Sequence, residues 1–392
     1  MAAQPDNVQS LTEQLEGFLE RPSSYVDSID AAARHRLCQA ARKVSFATEA
    51  TGDSVHRVIH SSLQLPLARI GVEKRIFELL SKRDGSTMTN AKLAKRLLRY
   101  YQSMGMISQL ADDEYGPNNV TKALATTGGQ SGIGYYFEMV NQTFNALPQF
   151  LRETGYKNPT NPNNCPWQLG HLTDQSPFAW LQSHPEMREF FLPWMAHQRD
   201  GLPTIFDVVD FQQELGQNTD SSTILFVDMG GALGHQCIAL KQRNPGLPGR
   251  IVLQEQAHMI EQVRVNPLPG FEGIEAEVHD FFTPQPLKGA RAYYLRNIFH
   301  DFPNDKCVEI LRNLKPAMTS ESVVLIDEMV FPERDVHWRA TQLDMSMMTC
   351  LAATERSESE WRVLIDEAGF KIVKIWKYTQ AIHDSVIVVV PK

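Results

Sequence analysis

Two periodicities divide this chain. Over 31–47 and 55–80 apolar residues recur at spacings of three and four, as in Leu63, Leu67, Ile70, Phe77 and Leu80, which predicts amphipathic helices. The stretch 88–106 predicts two short helices, and ISQLADDEYGPNNVTKA (107–123) a hairpin with turn residues at its tip. Residues 126–222 are rich in aromatics and Pro/Asn turns, with helices at 135–151, 178–181 and 186–199 and a loop at YKNPTNPNNCPW (156–167). From Thr223 onward the pattern changes. Strand-like runs ILFVDM, RIVLQ, IEAEVHDFF, ARAYYLRNIF and SVVLIDEMV alternate with helical HQCIALKQR, HMIEQV, CVEILRNLKPAM and SEWRVLIDEAGF. Such alternation predicts an α/β fold with a doubly wound sheet, whose ligand sits at the carboxyl ends of the strands. KIVKIW and SVIVVV, joined by KYTQAIHD, suit an antiparallel terminal hairpin.

Composition narrows the class. The 392 residues, 42% hydrophobic and 21% charged, are enough to bury a large core and to split into two domains. A net charge of −8 and the absence of a dense Lys/Arg run argue against a nucleic-acid surface. KLAKRLLR is followed by an acidic DDE, so helices plus a small hairpin read as a winged-helix-like dimerisation unit rather than as a DNA-sensing regulator. Apolar stripes such as LARIGVEKRIFELL are hard to keep soluble alone, which predicts a homodimer. No run approaches the length of a membrane span, and MAAQPDNVQS lacks a signal-peptide core, so the expected compartment is the cytoplasm. The five cysteines (Cys38, Cys165, Cys237, Cys307, Cys350) form no CxxC pair and no HExxH occurs, so no metal is expected.

The chemistry concentrates after Thr223. ILFVDMGGALG (224–234) is a buried strand running into a glycine-rich turn, and LQE ends a second strand about twenty residues later with Glu255, an acid able to chelate ribose hydroxyls. Gly230, Gly231 and Gly234 let backbone approach a ligand, whereas an anionic Asp228 would repel a pyrophosphate. That combination suits the cationic, phosphate-free cofactor S-adenosylmethionine better than NAD. Asp280 followed by Phe281 can bond an adenine amino group and stack on its ring, while Phe282 reads equally as core. His300, beside an acid in LRNIFHDF, has the residue type that removes a proton from a phenol or enol near neutral pH. Glu328 ends SVVLIDE and Glu355 opens ERSESEW, and carboxylates on either side of an imidazole orient it.

VDMGGALG, LQE, HDFFTPQPLKGARAYYLRNIFHDF, LIDEMV and ATERSESEWRVLIDEAGF together resemble successive motifs of the caffeic-acid-type plant and fungal O-methyltransferases, most closely their fungal secondary-metabolite branch. The resemblance implies a winged-helix dimerisation domain at 1–125, a helical substrate-binding region at 126–222 and a Rossmann-like catalytic domain at 223–392. It also implies that Gly230, Gly231 and Gly234 line the methionine and ribose part of the cofactor. Glu255 takes the ribose acid position, Asp280 and Phe281 the adenine site, and Arg296 a basic position four before the catalytic histidine. His300 matches the general base, with Glu328 and Glu355 as flanking acids; the spacing, 328 minus 300 or 28, fits that family. Two departures stand out: Ala232 replaces a third glycine, and Phe302 replaces the usual Trp after His-Asp.

Two mechanisms fit this scaffold. In O-methylation His300 deprotonates a hydroxyl of an aromatic polyketide or alkaloid lying among Tyr136, Phe137, Met139, Phe144, Trp194, Met195, Met345 and Met348. Some relatives resemble S-adenosylmethionine-dependent pericyclases, which keep the sulfonium as a fixed charge and catalyse dehydration or pericyclic steps on pyridone alkaloids, with Arg296 as polarising cation. Those relatives tend to carry a His where this chain has Tyr135 and Tyr136. The retained His300, Glu328 and Glu355 favour methyl transfer.

Overall fold

The computed structural model describes residues 5–20, 28–82 and 92–392. The chain divides into two units, 1–62 and 63–392. In the first, helix Ala31–Thr48 starts where the Asp30 carboxylate accepts the Ala33 N–H at 2.7 Å. Neither this helix nor Thr51–Ile59 buries a residue, and Val44, Phe46, Val58 and Ile59 are exposed.

In the second unit the apolar pattern of 55–80 is not one helix. Helix Thr51–Ile59 ends within it, a 3-10 turn follows at Ser61–Leu63, and the pattern breaks again after Glu73, where Arg75 takes a left-handed φ of 54°, leaving helices Gln64–Glu73 and Ile76–Ser81. Ala68, Ile76, Phe77 and Leu80 are buried against Leu98, Tyr101, Met106 and Tyr115. The stripe in LARIGVEKRIFELL is therefore largely covered by its own chain, with Leu79 left exposed. Of the two short helices expected in 88–106, one is seen, Lys92–Ser103, and 88–91 lie outside the described residues. The hairpin is shorter than 107–123: β1 (Ser108–Ala111) pairs antiparallel with β2 (Glu114–Gly116), after which an Asn118/Thr121 capping box starts helix Asn119–Leu124.

Helices Thr127–Tyr135 and Asn141–Glu153 are joined by one π turn, Tyr136–Val140. A π turn leaves its hydrogen-bond ladder out of step. Here the Met139 carbonyl oxygen lies 2.9 Å from His171 Nε2.

The large sheet runs in the order β5-β4-β3-β6-β7-β10-β9. Its strands are β3 (Ile224–Met229), β4 (Arg250–Glu255), β5 (Glu275–Val278), β6 (Ala292–Arg296), β7 (Val323–Phe331), β9 (Phe370–Lys377) and β10 (Asp384–Pro391). β3 to β7 are parallel, and β10 is antiparallel to both its neighbours. A two-residue β8 (Arg356–Ser357) pairs with the end of β7. All but the first residue of β7 and the last of β6 are buried, as expected of central strands covered on both faces. One face packs Tyr293, Leu295, Ile326 and Trp361, the other Phe226, Leu253, Tyr294 and Leu325. The strand order reverses between β3 and β6, so the carboxyl ends of these two strands open the crevice where such sheets bind ligands.

Candidate active site

The glycine turn leaves β3 at this crevice. Gly230 and Gly234 have left-handed φ of 74° and 82°. Space excludes a side chain as well: a Cβ at Gly231 would lie 2.4 Å from Asp228 Oδ2, and one at Gly234 2.6 Å from Phe271. These glycines are thus required by packing of the turn itself, in addition to any ligand approach. Ala232 occupies the same left-handed region, φ 50°, without being glycine. Glu255, at the end of β4, accepts the Ala232 N–H at 3.2 Å and the Gln256 N–H at 2.6 Å, so its carboxylate is held at the turn.

Asp228 is buried beneath the turn, with the Cys237 thiol donating to it at 3.5 Å. Burial pushes its carboxyl up to about 7, with Cys237 and Arg296 pulling the other way. This corrects the expectation of a plainly anionic Asp228: it supports the loop from below and shares a proton near neutral pH. Beyond β5, Asp280 accepts the Phe282 N–H at 2.9 Å and stays exposed. Phe281, Phe282 and Phe302 form an edge-to-face triangle with centroids 5.0, 5.9 and 5.2 Å apart. Phe281 reaches to 3.5 Å from where a Gly230 Cβ would be, and both Phe281 and Phe282 also pack on the core. Acids at three adjacent strand ends, an aromatic edge and a turn closed to side chains fit a phosphate-free nucleoside bearing a positive charge.

After β6, Asn297 turns through a left-handed φ of 52° into a short helical turn, Phe299–Asp301, that carries His300. The imidazole is 13% exposed. Its Nδ1 lies 2.8 Å from Glu355 Oε1 and 4.0 Å from Glu328 Oε2, and its Nε2 lies 3.5 Å from Asp301 Oδ1. Burial would lower its pKa, but the surrounding carboxylates of Glu355, Glu328 and Asp301 more than offset this and raise it to about 10. The imidazole is therefore not the near-neutral group its type suggests. Glu328 Oε1 accepts the Ile298 and Phe299 N–H groups, both at 2.8 Å, while its buried Oε2 has no hydrogen bond. Burial pushes Glu328 upward, so His300 and Glu328 compete for protons and the cluster keeps more of them than ordinary values would give. His300, Glu328 and Glu355 hold donor atoms within 4.8 Å of one another, the grouping among the described residues that could take a cation.

Three further groups shape this turn. Arg356, fully buried, donates from Nη1 to the Phe299 carbonyl at 2.9 Å, from Nη2 to the Phe302 carbonyl at 2.8 Å and from Nε to Asn304 Oδ1 at 2.9 Å. Asp344 accepts the Glu355 N–H at 2.9 Å. Glu355 itself precedes β8; the helix expected to open there begins at Glu358. A lone arginine after an acid carries no sequence signal of a buried staple, and only the fold reveals it. Arg296 faces an acid: its Nε lies 3.7 Å from Asp327 Oδ2, a carboxylate that also receives the Tyr294 and Tyr378 hydroxyls.

Of the proposed acceptor-lining residues, Tyr136 meets Trp194 edge-on at 5.9 Å and shares a cluster with Phe144. Met345 is exposed and Met348 half-buried on helix Trp338–Leu351. Met139 is buried core, so it does not line a surface as the sequence suggested.

Comparison with known proteins accords with this geometry. The model of the O-methyltransferase domain family matches residues 209–371. An O-methyltransferase of Aspergillus ustus is 35% identical over 367 residues, covering 91% of this chain and 94% of its own. The structure of LepI in complex with S-adenosylmethionine superposes with a TM-score of 0.88 at 32% identity, covering 97% of this chain and all of that one. A structure described as a pericyclic reaction enzyme gives 0.86 at 31% identity, covering 99% of this chain and all of that one. The chain belongs to the S-adenosylmethionine-dependent O-methyltransferase family of fungal secondary metabolism, which has a pericyclic enzyme among its close structural neighbours.

Proposed function

We propose that this enzyme transfers a methyl group to a hydroxyl of an aromatic polyketide or alkaloid, with His300 as general base. The observation that carries this reading is the Nδ1 contact of His300 with Glu355 at 2.8 Å, which fixes the ring and leaves Nε2 as the edge that can take a substrate proton. The cofactor, when bound, supplies an electrophilic methyl group. Glu255 would hold its ribose, Asp280 and Phe281 its adenine, and Gly230, Gly231 and Gly234, supported by Asp228, its methionine end, with Arg296 at the neighbouring strand end. Glu328 and Glu355 stabilise the imidazolium formed as His300 accepts the proton. Tyr136, Phe144, Trp194, Met345 and Met348 would contact a flat acceptor, an aromatic and Met-rich set suited to one. Positioning the two reactants contributes roughly 7–11 kcal/mol and proton transfer about two to four orders of magnitude.

The same reading divides the chain into a winged-helix dimerisation domain (1–125), a helical substrate-binding region (126–222) and a catalytic domain (223–392). The exposed Val44, Phe46, Val58 and Ile59 support a homodimer, and the acidic net charge supports a small-molecule enzyme over a nucleic-acid binder. Among the described residues no helix is long and apolar enough to cross a membrane. A cytoplasmic location goes with this reading.

A second reading is supported by the likeness to a pericyclic enzyme and by a His300 that starts protonated: the cofactor's charge and Arg296 polarise a pyridone carbonyl without methyl transfer. Mass spectrometry of turnovers with S-adenosylmethionine and a panel of phenolic polyketides and pyridone alcohols separates the two. Product heavier by one methyl, with S-adenosylhomocysteine formed, supports transfer; isomeric or dehydrated product with the cofactor unconsumed supports the second reading.

A further inference from the structure

Three guanidinium groups gather beside the carboxyl ends of β6 and β7. Arg199 donates from Nε and Nη2 to the two Asp384 oxygens, each at 3.3 Å, and from Nη2 to Asn297 Oδ1 at 3.4 Å. Arg296 faces Asp327 at 3.7 Å. The third, Arg339, donates only to the Gln198 carbonyl at 3.1 Å and, among the described residues, forms an ion pair with no carboxylate. Three cations thus share two carboxylates, Asp327 and Asp384; the next carboxyl near Arg296, Asp228, is held partly protonated by burial. Among the described residues Arg339 is the one of the three with no carboxylate at ion-pair distance, Asp384 acting on it only from further away.

That charge is kept at a cost. Arg339 is half-buried, and its burial and the like charge of Arg199 work against it more than Asp384 and Tyr136 support it. Its place indicates what repays the cost. Arg339 lies in the first turn of helix Trp338–Leu351, which carries Met345 and Met348, and its charge acts on the hydroxyl of Tyr136, the ring that meets Trp194. The cation therefore stands on the side of the proposed acceptor residues. A guanidinium has five N–H donors in a planar fork matched to two oxygens sharing one negative charge, and among the described residues one contact of this fork is taken.

We propose that Arg339 anchors the acceptor through a delocalised oxyanion, a carboxylate or the enolate of a vinylogous acid, set apart from the reacting hydroxyl. This specificity role rests on Tyr136 and Trp194 facing the acceptor, and it holds whether or not a methyl group is transferred. A neutral ester or enol ether lacks the charge that the fork would neutralise.

The test is equilibrium binding to the full chain loaded with S-adenosylhomocysteine, at neutral pH, by isothermal titration. The probes are salicylate against methyl salicylate and tetronic acid against methyl tetronate, which separate the carboxylate from the enolate source. At least one anion should bind about tenfold or more tighter than its neutral partner, the scale of a charge-assisted hydrogen bond. Arg339→Gln should reduce that preference to within about twofold while leaving S-adenosylhomocysteine affinity intact. Arg339→Lys keeps the charge without the fork and should fall between; if the Gln variant does not fold, the Lys variant decides. Equal binding of each anion and its neutral partner, no saturable binding of any probe at millimolar concentration, or an unaltered preference in the variants would overturn the proposal. Binding is read apart from turnover, so a failure of methyl transfer and a failure of this anchor are distinguishable.

Discussion

His300 and Glu355 meet through Nδ1 and Oε1 at 2.8 Å, and Glu328 addresses the same ring nitrogen from 4.0 Å. Both acids therefore lie behind the imidazole, and its Nε2 edge, shared with Asp301, is the one left for substrate.

This arrangement makes activity pH-dependent. A base must be neutral to accept a proton, and the carboxylates hold His300 charged to about pH 10 instead of its ordinary 6.5. The pH profile of kcat/KM should rise through neutrality into the alkaline range, and Glu355→Gln should move that limb toward lower pH. The stability sign follows the same shift: a pKa raised on folding stabilises fully below 6.5, and the contribution is lost as pH rises toward about 10. Urea titrations of wild type and His300→Gln across this range should converge as pH rises.

Asp228 follows the same sign at lower pH. Its carboxyl is raised from 3.8 to about 7, so the folded chain binds the extra proton and loses stability as pH climbs between those values. Asp228→Asn should gain on wild type over that interval, on the order of 4 kcal/mol by pH 8. Denaturant midpoints at acidic and mildly alkaline pH check this; a difference independent of pH contradicts it.

Arg356 holds the His300 turn through two carbonyls and Asn304. Arg356→Met strands those buried acceptors and should cost about 2–4 kcal/mol of stability. It should also lower kcat through the misplaced imidazole while cofactor affinity, measured by titration with sinefungin, changes little.

Ala232 holds a left-handed φ of 50° that costs an L-residue roughly 1 kcal/mol. Ala232→Gly relieves this strain at the expense of chain entropy, so a net gain of about 0.5 kcal/mol is expected. Chemical denaturation should show it, with S-adenosylhomocysteine bound at least as tightly as before.

The sheet was legible because β3, β4, β6 and β7 are largely apolar runs with Asp, Glu or Arg toward their carboxyl ends, and a parallel α/β sheet sends those ends to one side. Hence Glu255, Asp280, His300 and Glu328 could be placed together near strand ends, although Glu328 proves to lie inside β7, which runs on to Phe331, and Asp280 and His300 lie just beyond β5 and β6. Arg356 and the Arg199–Asp384 pair could not. In sequence such charges resemble surface residues, and the pair joins positions 185 apart. The break at Arg75 was hidden for a different reason: a single left-handed residue leaves the spacing of apolar residues nearly intact on both sides. The protonation of His300 was equally invisible, since it depends on three carboxylates converging from separate elements.

Single-turnover methyl transfer by wild type and His300→Ala, using trideuteromethyl-labelled cofactor and an acceptor identified in the turnover panel, tests the base assignment most directly. The account predicts that the label reaches the acceptor oxygen and that the variant is slower by about two orders of magnitude or more, with cofactor binding retained. An unchanged rate in His300→Ala, or label that never leaves the cofactor while wild-type product forms, would contradict it.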